Sequence, residues 1–298
     1  GAGNTSGLMD VKGAGITVSV SGGGSSLVEV TGSGSQTFTA TNLDLQFLNQ
    51  NATSGDLQVR TNTGTQTLSG SLGVLNLQAG TGTGAGVSVG TTSGNQSVDA
   101  NELNISGGSS GFGNTARLYA GGAAQSISAA NNGINVTGGG GTGADGNNSG
   151  IISYTGNGTQ SITVTGGGDL FIGGGSSTLQ NVGAGNGSRA IIESTGTGLQ
   201  SITLTGGNMT LLGGTGGSRN FAALLADLGS QTISGANILQ LLGGSSGGVP
   251  TEGNRATMHA GINQTISANS LNLVGGSGGT ENYARILLYG PGAATQTI

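Results

Sequence analysis

A glutamine followed by Thr or Ser and then an apolar residue recurs at nearly regular intervals along the chain. The nine copies of this motif begin at Gln36, Gln66, Gln96, Gln125, Gln160, Gln200, Gln231, Gln264 and Gln296. Successive glutamines are 30, 30, 29, 35, 40, 31, 33 and 32 residues apart. A period in this range is typical of a solenoid or a propeller, in which each repeat is one supersecondary unit that stacks on the next.

Each repeat contains two further strand-like pieces after the glutamine piece. The second piece alternates apolar and polar residues and ends in Gly-Gly, as in NELNISGG at Asn101; a glycine-rich loop and a third piece follow, as in ARLYAGG at Ala116. Three short strands per repeat predict one coil of a three-sided parallel β-helix, whereas a propeller blade needs four strands and about 40–45 residues. We therefore expect an all-β, single-stranded β-solenoid of about nine coils of roughly 30–40 residues, forming one domain over residues 1–298.

Aligning the repeats produces columns of equivalent positions. One position of the first strand is apolar in every copy: Phe38, Leu68, Val98, Ile127, Ile162, Ile202, Ile233 and Ile266. Its neighbours are mostly Thr and Ser, which predicts a row of hydroxyls on the outer face. The glutamine shares the parity of the core position, so we expect the nine glutamines to form an inward or corner ladder of stacked amides. Asparagines before the third strand predict a second corner ladder, at Asn114, Asn148, Asn254 and Asn282.

The variation in repeat length is localised. The longest carry their additional residues between the second and third pieces, in 138–148 and 173–189. A solenoid accommodates such insertions on one edge because the stacked strands keep their register.

Composition narrows the classes of function. The chain has 67 Gly and no Cys, only 6% of its residues are charged, and its formal net charge is −5. Seven scattered Lys and Arg residues form no basic patch in the sequence, so we expect no nucleic-acid partner. No apolar run approaches the ~20 residues of a membrane span. We also expect no cofactor and no bound metal, because no ligand spacing typical of either is present.

Catalysis is not expected, although carbohydrate-active enzymes are also built on parallel β-helices. Such enzymes need clustered carboxylates with a cationic partner, whereas Asp99 and Glu102 lack one in the same columns. Glu193 and Asp227 are expected to face opposite sides of the third strand. The single histidine, His259, is expected on the outer face without a second His or Cys beside it.

Two surface features leave other functions open. The hydroxyl row on the first strand is the kind of array that binds ice, although Asp99 interrupts it. Four arginines recur at the start of the third piece, where they predict a soluble edge or a contact with an anion or a glycan: Arg117, Arg189, Arg255 and Arg285.

The repeat texture resembles that of filamentous-haemagglutinin-like bacterial exoproteins, which are secreted by the two-partner pathway. The resemblance rests on QSITLTGGNMTLLGGTGGSRN at Gln200 and QTISANSLNLVGGSGGTENYARI at Gln264 and extends over essentially the whole chain. It implies a right-handed parallel β-helix, a secreted or cell-surface location, and a role in adhesion, aggregation or biofilm. The chain departs from the family in lacking a secretion motif of the NPNG type.

The terminal segments suggest how such a shaft is assembled. Leu8 and Val11 fit the first piece of an initial coil, and Ile298 falls on a core position of a further coil. We therefore expect either that the chain is a segment of a longer protein or that copies stack head to tail. The expected partners are copies of itself or further repeats, together with host or neighbouring-cell surface glycans.

Overall fold

The computed structural model describes residues 8–21, 25–50, 54–141, 148–176, 187–247, 253–290 and 294–298. In these segments every regular element is a β-strand. The first eleven strands are β1 (Met9–Gly13), β2 (Ile16–Val20), β3 (Ser25–Gly32), β4 (Gln36–Ala40), β5 (Leu45–Asn49), β6 (Ser54–Thr61), β7 (Gln66–Gln78), β8 (Val87–Thr91), β9 (Gln96–Ser106), β10 (Ala116–Ala120) and β11 (Ala124–Thr137). The others are β12 (Gly150–Tyr154), β13 (Thr159–Val164), β14 (Leu170–Gly173), β15 (Ala190–Ser194), β16 (Leu199–Leu204), β17 (Met209–Leu212), β18 (Ala222–Ala226), β19 (Ser230–Leu242), β20 (Ala256–Ala260), β21 (Gln264–Val274), β22 (Ala284–Leu288) and β23 (Gln296–Thr297).

The strands stack in parallel, each on the equivalent strand of the next repeat, which confirms the parallel β-solenoid predicted from the sequence. The third strands form one nine-stranded sheet, in the order β22-β20-β18-β15-β12-β10-β8-β6-β3. The first and second strands belong to a single fourteen-stranded sheet. With about 4.8 Å between neighbouring strands, nine coils extend roughly 43 Å along the axis.

The first and second strands are separated less sharply than the sequence predicts. In five coils the two pieces form one continuous bent strand: β7, β9, β11, β19 and β21. The register shifts inside three of these bends, for example between Ala129 and Gly133. Gly133 has a φ of 79°, and a Cβ there would lie 2.0 Å from the carbonyl oxygen of Asp169 in the next coil, so this bend requires glycine.

The core is a continuous aliphatic column that lies between the sheets. Ile162 pairs with Ile127 in the preceding coil and with Ile202 in the following one, and these three side chains are at most 1% exposed. Two positions of each second strand and two of each third strand close the same column, as Leu170, Ile172 and Ile192 do in one coil. Each coil therefore buries its apolar residues against its neighbours, which accounts for the order of a chain with only 3% aromatic residues.

The longest connections do lie between second and third strands, as expected. They join β14 to β15, β19 to β20 and β11 to β12. Of the predicted insertions, 142–147 and 177–186 lie outside the described residues. The strands on either side stay in register, since Gly150 pairs with both Ala116 and Ala190.

Candidate functional site: the ladders and the arginine-rich face

The nine glutamines of the repeat lie in one column, and their side-chain amides form a hydrogen-bonded ladder along the axis. Each Nε2 donates to the Oε1 of the glutamine one coil earlier, from Gln66 to Gln36 through to Gln296 to Gln264, at 2.5–3.2 Å. Most of the amides also donate to a third-strand carbonyl, as Gln160 does to Glu193 at 3.1 Å. The ladder therefore joins the first strand of each coil to the sheet on the far side of the core.

The asparagines before the third strand form a second ladder of a different kind. Their Oδ1 atoms accept a hydrogen bond from a backbone N–H of the preceding coil, as Asn282 does from Asn254 and Asn254 from Asn220, each at 2.8 Å. Asn220 belongs to this column although it was absent from the predicted set. At the next step the backbone N–H of Ser188 donates to Asn220 at 2.9 Å. The Nδ2 atoms hold loop carbonyls, as Asn254 does with Gly216, so this ladder fixes the loop to the stack.

The terminal residues singled out from the sequence occupy the following places. Val11 lies in β1 opposite Phe38 and packs, partly buried, against the core. Leu8 comes just before β1 and is 70% exposed, and Ile298 follows β23 and is 63% exposed.

The hydroxyl row on the first strand is in register. Thr203 pairs with Thr163 and Ser234, and the Thr203 and Ser234 hydroxyl oxygens are 3.4 Å apart. Asp99 takes the same position between Ser69 and Ser128, so a carboxylate interrupts the row as expected.

The arginines all lie on one side of the solenoid. All six are in a third strand or in the segment just before one: Arg60, Arg117, Arg189, Arg219, Arg255 and Arg285. The remaining cation, Lys12, lies in β1. We call this outer surface of the nine-stranded sheet the arginine face. It brings the arginines together on one side, where acidic residues also lie: Glu29 contacts Arg60 at 3.6 Å, and Glu193 is in the same sheet.

Arginine and aromatic residues alternate in one column of the arginine face. The residue before the third strand is Arg189, Phe221, Arg255 and Tyr283 in four successive coils, as the backbone hydrogen bonds of the residues that follow them show. The guanidinium carbons of Arg189 and Arg255 lie 5.7 and 4.8 Å from the centre of the Phe221 ring. Arg285 lies over Tyr283 at 4.7 Å. These cation–π contacts hold the long arginine side chains against the sheet.

The four arginines predicted as a group divide between two columns. Arg189 and Arg255 precede the third strand, whereas Arg117 and Arg285 occupy its second position. Burial lowers the pKa of the Arg189 guanidinium from its ordinary value; Glu193 opposes the shift and Arg219 adds to it. Burial raises the pKa of Tyr119, and nearby Arg60 and Arg117 counter part of this effect.

Glu193 and Asp227 face the same side of the sheet, so the prediction that they face opposite sides was wrong. Glu193 pairs with Leu225, and Asp227 lies two residues beyond Leu225. His259 also pairs with Leu225, and the Asp227 carboxylate contacts His259 from just beyond the end of β18, which places it on the side of Glu193.

Asp227 contacts the single histidine of the chain on this side of the sheet. His259 lies in β20 opposite Leu225, on the outer face as predicted. Its Nε2 is 2.6 Å from Asp227 Oδ1, and its ring meets Tyr289 edge to face with the centroids 5.2 Å apart. In the part of the chain that the structure describes, no group of three or more His, Cys, Asp or Glu residues could hold a metal ion.

A shallow cavity of about 150 Å³ lies between the cationic column and the His259–Asp227 pair. It is lined by Phe221, Ala223, Leu225, Arg255, Thr257, His259, Arg285 and Tyr289. Ala223 and Thr257 are 1% and 4% exposed and form its floor, while the Tyr289 side chain is 60% exposed at its rim. Thr257 Oγ1 and Arg285 Nε are buried, and neither has a hydrogen-bond partner among the described residues. We call this feature the notch.

Comparisons with family models, with curated proteins and with solved structures found no match for this chain. The stacked parallel strands define the class: this is a β-helical repeat protein. Membership of the filamentous-haemagglutinin-like exoproteins stays a prediction from the repeat texture. Over the described residues, no helix has the length and hydropathy needed to span a membrane.

Proposed function

We propose that this chain is a shaft segment of an extracellular bacterial fibre, with a role in adhesion, aggregation or biofilm matrix. The observation that carries the proposal is the glutamine ladder, which continues through eight consecutive steps although the coils differ by up to eleven residues in length. A structure stabilised by identical contacts between neighbouring coils is rigid along one axis and extends by repetition.

The surface supports a structural role more than a catalytic one. Two other cavities, of about 390 and 190 Å³, are lined by residues such as Thr17 and Gln78 and hold no cluster of titratable side chains. Ligand sites of enzymes are usually cavities of about 300–1,000 Å³ with convergent charged groups. We therefore propose that the shaft works by presenting its surfaces rather than by chemistry.

The proposal is tested on the producing bacterium. Antibodies raised against residues 1–298 should label filaments on intact, unpermeabilised cells in immunogold electron microscopy, and deleting the gene should reduce aggregation or surface attachment. Complementation with Thr203→Ser should restore the phenotype, whereas Ile202→Asp, which breaks the core column, should not. Labelling confined to permeabilised cells, or normal attachment by the deletion strain, would refute the proposal.

A carbohydrate-active enzyme is the second candidate, and one observation favours it. His259 and Asp227 are in contact beside the notch, close to Arg255 and Arg285. Such a pair can exchange a proton with a bound substrate. Incubation with acidic polysaccharides would then release reducing ends at a rate that His259→Ala abolishes and His259→Gln does not rescue. The fibre proposal predicts that neither the unmodified protein nor the His259 variants release reducing ends.

A further inference from the structure

We propose that the notch binds one carboxylate-bearing sugar residue, such as a uronic acid, of an acidic polysaccharide. The inference deepens the proposed adhesive function, because it assigns a ligand class and a site to the shaft. It begins from the placement of the arginines, since all six lie on the arginine face and the outer faces of the first and second strands carry none.

The notch has the parts that an acidic sugar requires. Arg255 and Arg285 lie towards the start of the third strands and present guanidinium groups, whose planar donors match a carboxylate in a bidentate geometry. Both are held by stacking, on Phe221 at 4.8 Å and on Tyr283 at 4.7 Å. A side chain already fixed in place loses less conformational freedom when the ligand binds.

The rest of the notch suits the body of a sugar ring. Ala223 and Leu225 supply an apolar floor for C–H groups, and Tyr289 presents an exposed ring at the rim. His259 lies towards the end of the strands, where its ring can exchange hydrogen bonds with hydroxyl groups. The unpartnered Thr257 hydroxyl adds a polar group in the floor. A volume of about 150 Å³ accommodates a single ring rather than a folded peptide.

The spacing of the arginines along the axis suits a chain of sugars as well as a single sugar. Arg189 and Arg255 occupy the same column two coils apart, which corresponds to about 9.6 Å. This distance is close to the repeat of an extended disaccharide, so acidic groups on alternate sugars would meet successive arginines. Nucleic acid fits less well, because its binding depends on many phosphate–cation contacts rather than on one fitted carboxylate.

Isothermal titration calorimetry on the full chain tests the proposal. The probes are tetragalacturonate, tetramannuronate and a glucuronate–N-acetylglucosamine tetrasaccharide, each beside its neutral methyl ester. At least one acid form should bind saturably, with its ester at least about tenfold weaker. Arg285→Gln and Arg255→Gln should each weaken binding about tenfold, and Arg285→Lys should weaken it several-fold because the guanidinium fork is lost.

Arg117→Gln is the matched control. Arg117 occupies the same strand position as Arg285 and also stacks on a tyrosine, Tyr119 at 5.3 Å, but it lies outside the notch. Its replacement should leave affinity unchanged, and thermal melts should show all four variants folded. Equal affinity for acid and ester, equal loss in Arg117→Gln and Arg285→Gln, or no saturable binding of any acid form would overturn the proposal.

Other anions complete the test. Polyglutamate or single-stranded DNA of equal charge that bound as tightly, with the same dependence on Arg285, would show a general anion surface and would also overturn the proposal. The fibre proposal is tested separately. If Arg285→Gln loses sugar binding while filaments are still present on cells, the fibre proposal stands independently of the notch. If the protein binds the sugar but never reaches the cell surface, the fibre proposal is refuted and the proposed sugar site is not.

Discussion

Gln200 Nε2 donates a hydrogen bond to Gln160 Oε1 at 2.8 Å, although 40 residues separate the two side chains in the chain. Gln96 makes the same bond to Gln66, also at 2.8 Å, over only 30 residues. The geometry of the ladder therefore does not depend on the length of the coil that it closes. Additional residues leave the stack in the connection between β14 and β15 and do not disturb the strands.

Removing one glutamine from the ladder should destabilise the protein strongly. In Gln200→Leu, the oxygen of Gln160 and the carbonyl of Leu225 lose their donor, and Gln231 loses an acceptor. Buried groups left unsatisfied cost about 1–3 kcal/mol each, so we expect a loss of roughly 2–4 kcal/mol in the free energy of unfolding measured in urea. Gln240→Leu is the control, because Gln240 bonds Thr210 on the outer face; its loss should stay below about 1 kcal/mol. Equal losses in the two variants would show that the ladder contributes no more to stability than a hydrogen bond on the outer face.

The core column predicts a large difference between adjacent residues. Ile202 is fully buried between Ile162 and Ile233, and Thr203 points outward. Ile202→Asp places an unpaired carboxylate in the column and should cost several kcal/mol, whereas Thr203→Ser should change stability by less than about 0.5 kcal/mol. Thermal unfolding followed by circular dichroism checks this, and matching melting temperatures would be inconsistent with a buried Ile202.

One glycine on the arginine face should be irreplaceable for steric reasons. A Cβ at Gly90 would lie 2.1 Å from the carbonyl oxygen of Tyr119 and 2.5 Å from its ring. Gly90→Ala should therefore lower the free energy of unfolding by about 1–3 kcal/mol. Gly275→Ala, where a Cβ meets nothing within 4 Å, should be nearly neutral. A stable Gly90→Ala variant would mean that the Tyr119 ring does not lie over Gly90.

The asparagine ladder should contribute as much to the free energy of unfolding as the glutamine ladder does. Asn254 is fully buried, accepts from the backbone N–H of Asn220 and donates to the carbonyls of Gly216 and Ser246. In Asn254→Ala these groups lose their partner, so we expect roughly 2–4 kcal/mol of destabilisation in urea. Asn269→Ala serves as the control, since Asn269 is exposed and makes a 3.4 Å contact with Asn237. A larger loss of stability in Asn269→Ala than in Asn254→Ala would contradict a stabilising role for the asparagine ladder.

The stacking of the coils could be predicted from the sequence because one position of the first strand is apolar in every repeat. The apolar position from Phe38 to Ile266 is buried in every coil, since a solenoid core must be continuous and a polar residue there would disturb two neighbours. Asn220 was missed although it stands two residues before the first Ala of its third strand, as Asn254 and Asn282 do. The bend inside β11 was missed because a strand that turns through a register shift has the same residue pattern as two strands.

The notch could not be predicted from any one repeat. It combines Phe221 and Leu225 from one coil, Arg255 and His259 from the next, and Arg285 and Tyr289 from a third. Asp227 follows the last residue of β18, where the end of the strand leaves parity uncertain in the sequence, and its pairing with His259 emerges only from the register of β18 and β20. Surface sites on solenoids depend on this side-by-side alignment, which spacing alone does not supply.

The distance between two residues of the stack depends on the number of coils between them rather than on the number of residues. The chain has no cysteine, so pairs of spin labels can be placed on the hydroxyl row as Thr37→Cys with Ser161→Cys and Thr37→Cys with Thr265→Cys. The register places these pairs four and seven coils apart, which predicts separations of about 19 and 34 Å in double electron–electron resonance. Narrow distributions near these values would support the stacked solenoid. Equal separations for the two pairs, or a shorter separation for Thr37 and Thr265, would contradict it.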